Sequence, residues 1–392
     1  MQVVAEMWLV LQLTRSGFAV GVAAALQFAP MLVGGAMGGL IADRFDKRRL
    51  LIATQTAMAL PALALLALTA TGAIELWMLY LLICARGAVN AVDNPARQAF
   101  LVELVGPDRL VNAVSLGSAL VNGARTIGPA IAGVVIATVG VVPCFGLNAL
   151  SFAAMILALR GMDAAALRPV KPTVRKPGQV RNGLRYVRAT PELLIPLTLM
   201  AIVGTFTFNF QTLLPLLATF GYGGGAGAYA TLTTAMGLGA IAGAVANGAR
   251  SRVRPAFLAS AAAAFGGLVV AAAAAPGIAF AAVALVPVGA ASVIFAASVN
   301  SFLQLAVAPH MRGRVMALYS IVFMGSTPIG GPLMGWIAGT AGPRAALALG
   351  GLVALGAAVW ARATFARVGL RESGACQPGS APMGERAQAR SC

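Results

Sequence analysis

The chain has 392 residues, of which 59% are apolar and only 10% are charged. Because soluble domains carry about 25% charged residues, this composition argues against a soluble protein and indicates a helical protein that crosses a membrane many times. The apolar runs are continuous rather than alternating, which disfavours a membrane β-barrel. The formal net charge of +17 could indicate nucleic-acid binding, so the positions of the basic residues have to decide its meaning.

The first half of the chain, 1–160, contains six apolar segments that predict membrane-spanning helices, since a complete span needs about 20 apolar residues. The first segment, 1–13, is too short. We interpret it as the outer half of a span and expect the start of the chain to be truncated or wrongly assigned. The next five spans are predicted at 18–42, 49–70, 75–97, 110–138 and 141–160.

A cytoplasmic linker is predicted at 161–191, where prolines and basic residues replace the apolar pattern. Within it, Val180, Leu184 and Val187 recur at helical spacing beside a row of arginines, which predicts an amphipathic helix lying on the inner leaflet. A second bundle, 192–366, is predicted from spans at 192–219, 224–248, 255–275, 278–306, 313–339 and 343–366. The polar tail at 367–392 is expected to be disordered.

The two halves of the chain share a pattern of glycines. Shifted by 202 residues, Gly128 falls on Gly330 and Gly133 on Gly335, and several other positions keep the same offset. A shift of 204 finds a degenerate copy of the segment 39–48 between the eighth and ninth spans. These matches indicate a duplication. The predicted fold is therefore all-α and polytopic, with two six-helix bundles related by a pseudo-two-fold axis.

Of the 28 basic residues, all but four fall on one side of the membrane in this topology. The exceptions are Arg15 and Arg344 on the outside and Arg86 and Arg125 within the membrane. Basic residues mark the cytoplasmic side, so the charge indicates topology and contact with anionic lipid, and we expect no nucleic-acid partner. Both termini are predicted to lie in the cytoplasm.

The turn between the second and third spans carries six charges in seven residues, 43–49. The pattern Gly-x-x-x-Asp-Arg-x-x-Lys-Arg, with Gly39, Asp43, Arg44 and Arg48, resembles the loop 2–3 signature of the major facilitator superfamily of secondary transporters. The resemblance implies a gating cluster at these four residues that ties the cytoplasmic ends of the two halves together in the outward-facing state. Asp46 departs from the family pattern, which usually has glycine there.

The fifth span contains a glycine-rich segment around Gly128, Pro129 and Gly133. It resembles the signature of drug–proton antiporters within the superfamily, which implies export. The glycines allow close helix contact and the proline bends the helix, so the segment could act as a hinge or occlusion element, or could serve packing alone. The same alternatives apply to its partner segment in the eleventh span, which contains Gly330, Pro332 and Gly335.

Charged residues within the spans are the candidates for the transport pathway. They are Glu6, Arg86, Asp93 and Arg125. Each is costly in the membrane and needs a partner or a water-filled cavity. Asp93 and Arg125 could simply pair with one another, which leaves Glu6 as the best lone carboxylate for carrying a proton.

The second half offers neutral polar residues instead. Asn209 and Gln211 lie on the seventh span and Asn300 and Gln304 on the tenth. They could bind substrate or hydrogen-bond neighbouring helices. The phenylalanines at 206, 208 and 210 suit a cavity wall, although packing is the commoner role of such residues.

Four further segments, 8–14, 95–99, 122–128 and 312–317, resemble the bacterial branch of the superfamily that contains siderophore exporters and secretion effectors. The resemblance implies a proton-coupled exporter of small siderophore-like or drug-like molecules in the bacterial inner membrane. We expect a monomer without cofactor or metal, and an ion gradient as energy source, because the chain has no phosphate-binding Gly-x-x-x-x-Gly-Lys-Ser/Thr motif. The alternatives are an uptake symporter and a non-transporting membrane sensor. An enzyme is not expected, because His310 is the only histidine.

Overall fold

The computed structural model of the protein describes residues 1–106, 110–163, 179–248, 254–308 and 311–367, except for a few side chains within these ranges. The side chains of Asp43 and Arg125 are among the exceptions. Residues 164–178 of the predicted linker and residues 368–392 of the predicted tail also lie outside the described part.

The described residues of the first half form helices joined by short turns. The helices are α1 (Gln2–Thr14), α2 (Gly17–Arg44), α3 (Lys47–Ala70), α4 (Leu76–Val105), α5 (Leu110–Thr138) and α6 (Val142–Gly161). Local signals set the turns. Arg15 ends α1 with a left-handed φ of 50°, Ser16 Oγ accepts a hydrogen bond from Ala19 N at the start of α2, and Asp46 Oδ1 accepts one from Arg49 N at the start of α3, as N-cap residues do.

The second half repeats this plan after one short helix. Its helices are α7 (Gln179–Ala189), α8 (Pro191–Phe206), α9 (Phe210–Leu216), α10 (Ala226–Gly248), α11 (Pro255–Ala273), α12 (Ile278–Ala306), α13 (Arg312–Ala341) and α14 (Pro343–Arg367). A π-helical turn, Leu217–Gly221, continues α9. Ten segments of the described chain are long and apolar enough to cross a membrane, the run Pro191–Gly221 counting as one.

The predicted span at 192–219 is present, but it is not one continuous helix, because the helix breaks at residues 207–209. Two side chains there bind backbone carbonyls: Thr207 Oγ1 donates to Gly350 O at 2.8 Å, and Asn209 Nδ2 donates to Thr205 O at 2.6 Å. The Asn209 bond, to a carbonyl four residues earlier, competes with the helical hydrogen-bond ladder, whereas the Thr207 bond joins the break to α14. The apolar pattern of the sequence shows neither bond.

The helices of the two halves pair in the same way. Within the first half, α2 packs on α4, and α3 packs on both α4 and α6; within the second, α10 packs on α12, and α11 packs on both α12 and α14. Counting α8 and α9 as the seventh span, these are equivalent pairs. The two halves meet where α2 packs on α13 and α5 packs on α10. The predicted all-α membrane fold of two related bundles is confirmed.

The short helix α7 is present in the predicted linker and packs on the protein through part of its apolar face. Val187 is 1% exposed and belongs to the main apolar core, and α7 packs on α8 and α13. The protein, rather than lipid, therefore covers this residue. Arg185 and Arg188 are exposed.

Two names describe the ends of the molecule below. The basic end carries the turn between α2 and α3 at 44–47, and the sealed end carries the turn between α1 and α2 at 14–17. Successive membrane helices run in opposite directions between these ends.

Candidate transport site

The centre of the first half contains a buried ion pair. Glu6 on α1 is 0% exposed, and its Oε2 accepts a hydrogen bond from Arg86 Nη2 on α4 at 2.7 Å. Gln2 Nε2 donates to the other carboxylate oxygen, also at 2.7 Å. The interpretation of Glu6 as a lone carboxylate is therefore wrong. Helical spacing could not reveal the pair, because the two residues are 80 positions apart and on different helices.

The ion pair continues into a polar chain across the bundle. Asn148 Nδ2 on α6 donates to Gln2 Oε1, so Asn148, Gln2, Glu6 and Arg86 link α6, α1 and α4. Asn148 also lines a cavity of about 650 Å³ between α5 and α6. The Nε of Arg86 is buried without a partner in the described structure. Gln2 and Asn148 were missed from the sequence, although Gln2 precedes Glu6 by one helical turn.

Asp93 belongs to a second, separate cluster. Its Oδ1 accepts hydrogen bonds from Thr54 Oγ1 at 2.6 Å and from Gln55 Nε2 at 2.8 Å. Its Oδ2 accepts one from Arg97 at 2.7 Å. These partners lie on α3 and α4, and the side chain of Arg125, the partner considered from the sequence, lies outside the described residues. Arg86 and Asp93 share a helix face but not a site.

The described part of the basic turn binds its own half of the molecule. Arg48 donates from Nε to Leu159 O at 2.7 Å and from Nη2 to Arg160 O at 2.8 Å. It thus caps the last turn of α6, where carbonyls lack helical partners. Gly39 is buried and Arg44 is exposed. The link between halves that the resemblance implies is not made by Arg48, and the Asp43 side chain lies outside the described residues.

Glycines bring the two halves into contact at the sealed end. On α2, a Cβ atom added to Gly17 would lie 2.5 Å from Gly335 O of α13, and one added to Gly21 would lie 2.2 Å from Gly331 O. Both helices therefore present glycines four residues apart, a spacing that lets backbones approach closely. Backbone contact of this kind leaves no room for any other residue at these positions.

A second contact closes the sealed end on the opposite side of the pseudo-two-fold axis. A Cβ on Gly133 of α5 would lie 1.6 Å from Ala230 Cβ of α10. Nearby, the rings of Trp8 on α1 and Tyr229 on α10 stack with centroids 6.2 Å apart. Of the predicted hinge or occlusion glycines, Gly133 and Gly335 thus touch the opposite half.

The other two predicted glycines face their own halves. A Cβ on Gly128 would lie 3.2 Å from the nitrogen of Met1, the residue that precedes α1, and one on Gly330 would lie 2.1 Å from Thr205 O of α8. Pro129 and Pro332 lie inside α5 and α13. The sequence could not distinguish glycines that serve a bundle from glycines that join the two bundles.

Toward the basic end, some glycines of α2 and α5 lack such close neighbours. No described atom other than helical backbone and adjacent residues lies within 4 Å of the Cβ position of Gly123 on α5 or Gly34 on α2. Met37 and Leu120, on α2 and α5, are 63% and 66% exposed. The glycine-to-backbone contacts between the halves thus lie at the sealed end, and further along the helices Leu32 of α2 still contacts α13, with its Cδ2 3.1 Å from the Cβ position of Gly325.

The polar candidates of the second half do not form one cluster. Asn209 is 2% exposed and lies in the break before α9. Gln211 is exposed, and Gln304 Nε2 donates to Asn300 Oδ1 at 2.6 Å on α12. Among the aromatic residues, Phe208 packs on the rings at 265, 295 and 323, with centroids 5.1–6.4 Å apart, so packing is its role here.

Two similar helical bundles with a buried ion pair and glycine contacts between them are features of membrane transporters. Solved structures share this fold. The chain is similar to the nucleoside transporter NupG, with a TM-score of 0.73, 12% identity and coverage of 93% of this chain and 94% of that one. It is also similar to a bacterial homologue of the human lysosomal transporter Spinster, with a TM-score of 0.72, 15% identity and coverage of 95% and 94%.

The family follows from the sequence profile of the major facilitator proteins described as transmembrane secretion effectors, which matches residues 1–385. The chain belongs to this family of membrane transporters. The predicted resemblance to the superfamily and to this branch is confirmed.

Characterised relatives include siderophore and drug transporters. The enterobactin exporter EntS of Escherichia coli is 27% identical over 247 residues, 63% of this chain and 59% of that protein. The staphyloferrin A transporter of Staphylococcus aureus is 36% identical over 131 residues, 33% of each chain. The multidrug efflux pump Tap of Mycobacterium tuberculosis is 30% identical over 197 residues, 47% of this chain and 46% of the pump. The matches thus span about one third to three fifths of the relatives' length.

Proposed function

We propose that this transporter exports small organic molecules, siderophore-like or drug-like, by alternating access driven by a proton gradient. The observation that carries the proposal is the Glu6–Arg86 pair, in which a fully buried carboxylate is bound to an arginine. The names of the enterobactin exporter and the multidrug efflux pump among the relatives support the outward direction.

Coupling requires that the proton and the substrate bind to the same group, which here is the carboxylate of Glu6. When Glu6 is ionised, Arg86 neutralises it. A proton on Glu6 breaks the pair and leaves a buried cation, which favours a rearrangement because an unpaired buried charge costs about 3–5 kcal/mol. In an antiporter, a cationic or hydrogen-bond-donating substrate competes with the proton for Glu6. The two ligands then cross the membrane in opposite directions.

The same pair also supports the second candidate, an uptake symporter. An anionic substrate would bind Arg86 in place of Glu6, and the released carboxylate would then bind a proton. Proton and substrate would therefore travel together. Whether proton and substrate move in opposite directions or together thus depends on the charge of the substrate. Measuring the substrate's charge and the direction of proton movement decides between export and uptake.

The proposal includes an orientation and a setting. The exposed arginines Arg44, Arg188 and Arg312 favour a cytoplasmic location for the basic end, which puts the sealed end on the outer side of the membrane. We propose that the protein lies in the bacterial inner membrane, with lipid around its helices and both chain ends in the cytoplasm. We also propose a monomer, since each half packs on the other half of the same chain.

Transport into inverted membrane vesicles tests the proposal. With an imposed pH gradient, acid inside, we expect accumulation of a siderophore or a hydrophobic cationic drug, and loss of gradient dependence in Glu6→Gln. Glu75→Gln is the matched control, because Glu75 is an exposed carboxylate at the start of α4. Full gradient-driven transport by Glu6→Gln would refute the role of this carboxylate, and accumulation that ignores the gradient in the unchanged protein would refute proton coupling.

A further inference from the structure

The break between α8 and α9 leaves oxygen atoms without hydrogen-bond donors. Asn209 and Thr212 are 2% and 1% exposed, yet Asn209 Oδ1 and Thr212 Oγ1 have no partner in the described structure. In a continuous helix, the carbonyls of Phe206 and Thr207 would accept the N–H groups four residues later. Neither of these bonds forms across the break.

The two side chains face glycines of α13. Asn209 Oδ1 lies 2.9 Å from the position that a Cβ on Gly330 would occupy, and Thr212 Cγ2 lies 3.3 Å from the corresponding position on Gly335. The absence of a side chain at Gly330 lets the Asn209 amide pack directly against α13. Buried polar atoms are normally bonded to protein or ordered water, so the two unpartnered oxygens mark a place for a bound ion or a water molecule.

The chemistry of the break selects the ligand. The unused side-chain atoms are an amide oxygen and a hydroxyl oxygen, while the Asn209 amide nitrogen is already bound to Thr205 O. The end of α8 adds partial negative charge and the start of α9 adds unpaired N–H groups, as at any pair of helix ends. The two buried side-chain oxygens therefore favour a cation. Divalent ions usually bind several carboxylates, and the described residues contain no cluster of three acidic, histidine or cysteine side chains.

We propose that the break between α8 and α9 binds a sodium ion through Asn209 Oδ1, Thr212 Oγ1 and unwound carbonyls. Broken membrane helices coordinate sodium in this way in other transporters. The ion holds the bent form of the helix. Because α9 packs on α1 and α2 of the first half, bound sodium stabilises contact at the sealed end. The inference is independent of transport direction and of proton coupling at Glu6.

Thermal unfolding of the purified protein in detergent tests the site directly. Tryptophan fluorescence is followed at constant ionic strength in sodium, potassium or choline chloride, together with equilibrium binding of ²²Na⁺. We expect a saturable rise of the unfolding midpoint in sodium only, as for any ligand that binds the folded state. Equal midpoints in the three salts, or the absence of saturable ²²Na⁺ binding, would overturn the proposal and leave water as the occupant.

Two substitutions locate the ion. Thr212→Val keeps the shape of the side chain but removes an oxygen, and we expect at least about a tenfold weaker sodium affinity. Asn209→Asp adds a negative charge to the ligand set, which strengthens cation binding, so we expect about a tenfold tighter affinity. Thr233→Val on α10 is the control, since its hydroxyl bonds Tyr229 O within its own helix. Unchanged sodium affinity in both test variants would place the ion elsewhere and refute the site.

Discussion

Closure at the sealed end depends on backbone contact between α2 and α13, and adding one methyl group tests this. In Gly21→Ala, the new Cβ would lie 2.2 Å from Gly331 O, 2.5 Å from the Gly331 carbonyl carbon and 2.8 Å from Pro332 Cα. These are backbone atoms, so no rotation of a side chain relieves the clash. Restoring ordinary contact at 3.4 Å requires the two helices to separate by about 1 Å.

The added methyl group destabilises only the conformation in which the sealed end is closed. Overpacking costs about 1–3 kcal/mol, and here it is paid only while the sealed end is closed. A difference of that size shifts a two-state equilibrium by about 5–150-fold. We therefore expect Gly21→Ala to populate a conformation that is open at the sealed end and closed at the basic end, without general unfolding.

Distances between spin labels measure this shift. One pair of labels, at Arg15→Cys and Thr340→Cys, reports the sealed end, and a second pair, at Arg44→Cys and Arg312→Cys, reports the basic end; all four positions are exposed. The native cysteines are replaced beforehand. In Gly21→Ala we expect the first distance to lengthen and the second to shorten.

The matched control is Gly339→Ala on α13, because no neighbouring atom lies within 4 Å of its Cβ position. It should leave both distance distributions as they are in the unchanged protein. If Gly21→Ala also leaves both distributions unchanged, the glycine contact does not set the equilibrium, and the reasoning fails. Lengthening at both ends would instead indicate loss of packing between the halves.

Two other predictions concern the ion pair and the orientation. Arg86→Gln leaves the carboxylate of Glu6 unpaired at 0% exposure, so we expect the folded protein to lose about 3–5 kcal/mol of stability. Adding Glu6→Gln should recover much of this loss, and a double-mutant cycle of thermal unfolding measures both effects. Equal stability of Arg86→Gln and the unchanged protein would contradict the ion pair. If the basic end faces the cytoplasm, a membrane-impermeant thiol reagent should label Arg44→Cys and Arg188→Cys only in inverted vesicles, and Arg15→Cys only in intact cells; labelling of Arg44→Cys and Arg188→Cys from opposite faces would refute the topology.

The helices could be predicted from the sequence because the membrane sets their length and polarity. Runs of about 20 apolar residues bounded by charges or glycines gave most helix ends to within a few residues, as at 110–138 and 278–306. The break at 207–209 was missed because the side-chain hydrogen bonds at the break do not show in the apolar pattern. Thr207 and Asn209 look like isolated polar residues in an apolar run until their carbonyl partners are known.

The sequence predicted which charged residues belong to the candidate site, but not which residues they contact. The cost of burying charge singled out Glu6 and Arg86, but the partner of each depends on how α1 crosses α4. Periodicity fixes the face of a helix on which a residue lies and says nothing about the neighbouring helix. Arg48 shows the same limit, because its partners are the carbonyls of Leu159 and Arg160, 111 and 112 positions away.

The duplication links sequence and mechanism through two pairs of glycines. At one offset, Gly128 matches Gly330, and each faces the first helix of its own half or the residue next to it: Met1 before α1 for Gly128, and α8 for Gly330. At the same offset, Gly133 matches Gly335, and each faces the second helix of the opposite half: α10 for Gly133 and α2 for Gly335. If the two halves arose by the predicted duplication, one ancestral helix carried both a glycine for its own bundle and a glycine for the contact between bundles. Because both contacts between halves are built from one element, a single motion about the pseudo-two-fold axis can open them together.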